Sequence, residues 1–130
     1  MLINFTVPSL LTKALYNKIK GNNSKNNNMN FVVNILDAKI FGLNPDYYSY
    51  TLSKLSMYGL TKMAALSYAP ILRVNGIAPG IILPADGQNN KQFRKAHTNN
   101  LLKKSAGIDE IKNALYSFGL VEQPCSAIIV

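Results

Sequence analysis

Two short β-branched runs separated by one long helical segment constrain this chain more than any other feature. Phe31-Val-Val-Asn-Ile-Leu36 and Leu72-Arg-Val-Asn-Gly-Ile77 have strand length. Between them, over residues 47–69, Leu52, Leu55, Leu60, Met63, Ala64 and Leu66 supply apolar faces, and Pro70 stops the helix. A strand, a long helix and a second strand in that order cannot close as a hairpin. They lie parallel, joined by a right-handed crossover. The run 31–36 shows little polar alternation, as expected of a strand buried on both faces of a parallel sheet.

The flanking segments extend the alternation. Val7, Leu10, Leu11, Leu15 and Ile19 recur at helical spacing over residues 6–19, with Pro8 in the first turn and Gly21 as the stop. Residues 22–30 are a polar, Asn-rich loop. After the second strand Ala78-Pro-Gly80 turns the chain. Residues 84–105 are polar and irregular, with a short helix expected around 91–103. A third main helix is expected over 108–117, with Ile111, Leu115 and Phe118 on one face, and a last strand over 126–130. The order helix, strand, helix, strand, helix, strand defines one α/β domain over residues 1–130, with no internal repeat and no linker.

Composition removes several function classes. Fourteen Lys and Arg against six acidic residues give a net charge of +8. The cations are scattered, however, and the dense stretch 91–104 holds a single aromatic, Phe93, a poor platform for stacking bases. With sixteen Asn in the chain, the excess reads as compositional bias and a solvated surface, so no nucleic-acid partner is expected. One Cys, Cys125, and one His, His97, leave no disulfide framework and no metal site. His97 reads as a solvated surface residue and Cys125 as packing; Asp109 and Glu110 complement a helix dipole. No apolar run reaches the about 18 residues of a membrane span, and Met1–Phe5 lacks the basic start of a secretory signal. The expectation is a cytoplasmic protein.

The chemistry concentrates in Tyr50-Thr-Leu-Ser-Lys54. Spacing of four puts the phenol and the ammonium on one helical face, where a cation would lower the Tyr50 pKa and ready it to protonate an oxyanion. Tyr58 and Lys62 repeat that spacing, so spacing alone does not mark a site. Position does. Asp37 stands just past the first strand, thirteen residues before Tyr50, and ligands of parallel sheets bind at the carboxyl ends of strands.

Together with Asn34-Ile-Leu-Asp37, Gly59-Leu-Thr, Ala69-Pro, Arg73-Val-Asn and Ala78-Pro-Gly80, this pair resembles the C-terminal half of the short-chain dehydrogenase/reductase family. Ile3-Asn4-Phe-Thr-Val-Pro resembles the family's asparagine-bearing helix. Most of that family carries Ser where Asp37 stands; Asp followed by a small residue is similar to the pteridine reductases and dihydromonapterin/dihydrofolate reductases. The resemblance implies NADP(H) as cofactor and a pterin or other small carbonyl-type substrate. It implies Tyr50 as proton donor, Lys54 on the nicotinamide ribose, Asp37 orienting or protonating the pterin, and Asn4 holding a water. Pro79, Gly80 and Ile81 would line the nicotinamide, residues 83–104 would form the substrate loop, and Tyr47 and Tyr48 could edge the pocket.

The resemblance also implies a half. The fold class expected is the C-terminal part of a Rossmann-type doubly wound parallel sheet, without the N-terminal glycine-rich βαβ unit. The glycines at 21, 42, 59, 76, 80, 87, 107 and 119 are too far apart for a phosphate-cradling turn. The strand at 31–36 would then be an open edge, which favours a homo-oligomer or a complementing N-terminal half. Two other readings stay open: a generic carbonyl or hydroxyl dehydrogenase, and an inactive remnant or interaction subunit.

Overall fold

The computed structural model describes residues 1–21, 30–84, 86–99, 103–120 and 128–129. A π-helical turn, Leu2–Thr6, runs directly into α1 (Val7–Gly21). Then come β1 (Phe31–Ile35), a 3-10 turn (Ala38–Phe41), α2 (Tyr48–Tyr68), β2 (Arg73–Ile77), α3 (Asn90–His97), α4 (Ile108–Leu120) and β3 (Ile128–Ile129). The three strands form one parallel sheet in the order β1-β2-β3. The expected α/β alternation is therefore the observed one. The asparagine-rich loop and Cys125 lie outside the described residues, as does most of the last strand.

Register explains how the sheet places its faces. Phe31 pairs with Arg73 and Ile35 with Ile77. Beyond the strands the ladder continues through Leu36 N to Ile77 O at 2.7 Å and Ala38 N to Pro79 O at 3.0 Å. Side chains alternate across a strand, so Val32, Asn34, Leu36, Val74 and Ala78 share one face. Helices α1 and α2 cover it. Leu36 and Ala78 pack with Ile40 and Met57; Val74 and Leu72 pack with Ala64, with Leu15, Tyr16, Ile19, Leu60 and Tyr68 at the edge of the cluster. Tyr16 and Tyr68 stack with ring centroids 4.4 Å apart, joining α1 to α2. One polar pair lies inside this layer. Asn34 Nδ2 donates to Thr61 Oγ1 at 2.9 Å, and that hydroxyl donates to Met57 O at 2.8 Å. The Thr61 hydroxyl thus both accepts and donates, and links the buried amide to the backbone of α2.

Helix α4 covers the opposite face at the start of the strands. Arg73 Nη2 donates to Phe118 O at 3.0 Å, Phe118 is buried, and the Phe31 ring lies against Gly119. This cover is partial. Phe31 is 38% and Ile35 44% exposed, so β1 is buried on one face only, not on both as its composition suggested. An apolar run shows that a strand can be buried, not how far its neighbours reach.

Three further boundaries differ from expectation. The π-helical turn at 2–6 has no apolar period of its own. The 3-10 turn at 38–41 is too short to show one. Helix α3 ends at His97 rather than 103. Its start is a capping box, with Gln92 N donating to Asn89 Oδ1 and Asn89 N to Gln92 Oε1. Its end is marked by the Thr98 hydroxyl, which bonds back to Arg94 O at 2.9 Å.

Candidate active site

The carboxyl end of β1 feeds the 3-10 turn, and Asp37 is the cap of that turn. Its Oδ1 accepts from Lys39 N at 2.8 Å. The cap fixes the carboxylate, so its other oxygen faces a defined partner. That partner is Tyr50: its hydroxyl donates to Asp37 Oδ2 at 2.7 Å. Helix α2 places Lys54 one turn on, and Lys54 Nζ donates to Ile35 O at 2.8 Å. Leu36 N is turned toward β2, so by strand alternation the Ile35 carbonyl is turned away from it, to the free side of β1. Lys54 therefore closes the last open carbonyl of that edge. Asp37, Tyr50 and Lys54 converge within two turns of helix and one strand end.

Electrostatics departs from the sequence expectation. Lys54 Nζ lies 5.7 Å from the centre of the Tyr50 ring and is bonded to the strand, not to the phenol oxygen. The Tyr50 pKa is pushed up to about 12, by partial burial first, then by the hydrogen bond to Asp37 and its negative charge. The shift is opposite to the lowering expected from Lys54. Lys54 itself is lowered by desolvation, which the charge of Asp37 partly offsets.

Asn4 is not at the phenol. Its Nδ2 donates to Ser53 Oγ at 3.1 Å, and Ser53 Oγ donates to Tyr50 O at 2.6 Å. Asn4 meets the back of the helical turn that carries the pair. Pro79 is tied to the Asp37 side by the Ala38 N bond, and Gly80 and Ile81 follow it as exposed turn residues. Tyr47 and Tyr48 stand exposed at the start of α2, and Lys39 Nζ sits 4.9 Å from the Tyr47 ring centre while donating to Asp46 O. Among the described residues no hydrogen bond or ion pair joins Tyr58 or Lys62, the second pair at the same spacing, to a carboxylate; Lys62 Nζ lies 5.6 Å from the Tyr58 ring centre, and Tyr58 packs edge-on against Phe41.

Two features escaped the sequence reading. Ser53 stood inside the quoted motif without a role. His97 read as solvated, yet its Nδ1 lies 2.9 Å from Ile81 O, and Ser105 Oγ donates to His97 O. A carbonyl only accepts, so Nδ1 carries the hydrogen. This bond ties the last turn of α3 to the turn after β2. Among the described residues no cluster of three or more metal-ligating side chains exists, and no helix is long and apolar enough to cross a membrane.

The parallel sheet thus carries a Tyr/Lys pair on its crossover helix and a carboxylate at the end of its first strand. A family model described as enoyl-(acyl carrier protein) reductase matches residues 3–119, and the chain belongs to the short-chain dehydrogenase/reductase family. It is 28% identical over 115 residues to pteridine reductase 1 of Leishmania tarentolae, covering 86% of this chain and 40% of that protein. It is 26% identical over 115 residues to dihydromonapterin reductase of Klebsiella pneumoniae, covering 88% of this chain and 47% of that protein. Among solved structures, FolM alternative dihydrofolate reductase 1 from Brucella canis, complexed with NADP, superposes with a TM-score of 0.78 at 28% identity, over 95% of this chain and 48% of that one. The chain spans about half the length of the relatives it matches.

Proposed function

We propose that this chain supplies the acid–base half of an NADPH-dependent pteridine reductase, with Tyr50, Asp37 and Lys54 as its working groups. The observation that carries the reading is the 2.7 Å bond between the Tyr50 hydroxyl and Asp37 Oδ2. A generic carbonyl reductase of this family needs a neutral hydroxyl at the strand end to hold a carbonyl oxygen. A carboxylate there suits a substrate with ring N–H and amino donors, as a pterin has.

The groups present fit the nicotinamide-ribose end of a dinucleotide. The Lys54 ammonium and Tyr50 hydroxyl stand together at the end of β1, where sugar hydroxyls can be bound, and Gly80 has open space where a Cβ would stand. Pro79, Gly80 and Ile81 would line the nicotinamide, and the cofactor supplies the hydride. The glycine-rich phosphate turn would come from another segment or a second chain.

Proton delivery runs through the Tyr50–Asp37 pair as a unit. If Tyr50 alone gave up its proton, phenolate and carboxylate would face each other across 2.7 Å, a like-charge contact that opposes the transfer. The balanced route has Tyr50 Oη protonate the substrate while Asp37, first protonated from solvent, returns a proton to Tyr50 Oη.

A fusion tests the reading. The N-terminal half of the Brucella canis reductase is joined ahead of residue 1, and NADPH oxidation is followed with a dihydropterin and with simple ketones. Turnover with the dihydropterin that disappears in Tyr50→Phe is expected. A folded, NADPH-binding fusion that reduces ketones and ignores pterins would refute it.

A further inference from the structure

We infer that Ser53 is a positioning residue that sets the Tyr50–Asp37 bond by clamping the first turns of α2 to the π-helical turn that carries Asn4. The inference rests on the Tyr50–Asp37 pair being the working pair proposed above. Ser53 lies inside the quoted Tyr-Thr-Leu-Ser-Lys motif, is 1% exposed, and touches neither Asp37 nor the phenol oxygen in any hydrogen bond described.

The Ser53 hydroxyl both donates and accepts. A serine hydroxyl has one hydrogen and two lone pairs. The hydrogen goes to Tyr50 O at 2.6 Å, and a lone pair takes the Asn4 amide at 3.1 Å. Serine hydroxyls that bond back along their own helix are common and by themselves mildly loosen or bend it. Ser56 is the local example, bonding back to Leu52 O at 2.9 Å with exposed geometry. Ser53 differs because its acceptor side is held by a residue 49 positions away in sequence. That turn of α2 is thereby referenced to a second element.

That second element is the π-helical turn Leu2–Thr6, where Phe5 N and Thr6 N both donate to Met1 O. A π turn is wider than an α turn, an uncommon distortion that recurs at functional sites. Here it carries the Asn4 amide to a buried hydroxyl. The chain Asn4–Ser53–Tyr50 O then fixes the height and rotation of the turn that carries Tyr50 and Lys54. Asp37 is fixed independently by its cap on Lys39 N. The Tyr50–Asp37 bond spans these two separately anchored pieces, so a small slip at Ser53 appears directly at the phenol.

The test reads the phenol and not turnover, so it stands or falls apart from the reductase proposal. The full chain is made with ¹³C at the tyrosine Cζ, and the Tyr50 resonance is assigned with Tyr50→Phe. At neutral pH, Asp37→Asn marks where the resonance falls once the carboxylate is gone. Ser53→Ala should move it most of the way to that position, and Ser53→Thr, which restores the hydroxyl, should return it. Ser56→Ala should leave it in place. Asn4→Leu removes only the outer partner and should produce the same displacement as Ser53→Ala, with no further change in the double variant. If Ser53→Ala fails to fold, the Asn4→Leu result decides alone. A Tyr50 resonance unmoved in Ser53→Ala or Asn4→Leu, with only the melting temperature lowered, overturns the proposal and leaves Ser53 as packing.

Discussion

Tyr50 and Asp37 share one hydrogen across 2.7 Å, with the carboxylate held by its own backbone cap and the phenol held by a helix. Neither partner depends on the other for its place. The bond is a contact between two anchored groups, as the proposed proton transfer requires. It also departs from the simple reading of a Tyr/Lys pair, because partial burial first, and then the Asp37 carboxylate, hold the phenol protonated.

The alkaline limb of stability follows. The folded-state pKa of Tyr50 is about 12, raised from an unfolded 10.0. Between those values the folded chain holds a proton that the unfolded chain has released, so stability present below pH 10 is lost as pH rises toward 12. Tyr50→Phe should flatten that loss in urea titrations run across this window. An unchanged alkaline slope in Tyr50→Phe would show that the phenol is not bonded to Asp37.

Asp37→Asn should separate capping from chemistry. Asparagine caps a turn about as well as aspartate, so the melting temperature should stay near the parent value. The proton relay loses its acid, and in the assembled enzyme dihydropterin reduction should fall by about 10²–10⁴-fold. Initial rates with the dihydropterin check this, and a variant that keeps the parent rate would contradict the relay.

Two threonines in α2 should respond oppositely to the same substitution. Thr61 Oγ1 is the acceptor for buried Asn34, so Thr61→Val strands an amide hydrogen and should cost about 1–3 kcal/mol. Thr51 Oγ1 is buried with no hydrogen-bond partner among the described residues. Thr51→Val should be neutral or stabilising by up to about 1 kcal/mol. Denaturant unfolding of both variants reads the contrast, and equal losses would contradict the assigned bonding.

Leu72 is fully buried at the entry to β2 and packs with Ala64 and Val74 under α1 and α2. Leu72→Ala should lower stability by about 2–5 kcal/mol through lost burial and the cavity left behind. Chemical denaturation midpoints measure this; a change below about 1 kcal/mol would mean the α1–α2 layer collapses to fill the space.

Legibility in the sequence tracked the length over which a pattern runs. The strands at 31–35 and 73–77 and the helix between them carry period and stop signals, and their order alone dictates a parallel sheet. The convergence of Asp37, Tyr50 and Lys54 was readable from position, since one closes a strand and the others sit one turn apart on the following helix. What was not readable depends on partners without a side-chain signature. His97 meets a backbone carbonyl, Lys54 meets another, and Asn4 turns to Ser53 through a helical distortion that no residue type announces. The direction of the Tyr50 shift was missed because spacing gives only the neighbour along the helix, whereas the shift comes first from burial and then from Asp37 across a loop.

The bond from His97 to Ile81 has a mechanical meaning. Because a carbonyl only accepts, the bond fixes which ring nitrogen of His97 holds the hydrogen. It crosses from the last turn of α3 to a turn 16 positions back in sequence. One exposed side chain thereby links the short helix to the turn that carries Pro79, Gly80 and Ile81.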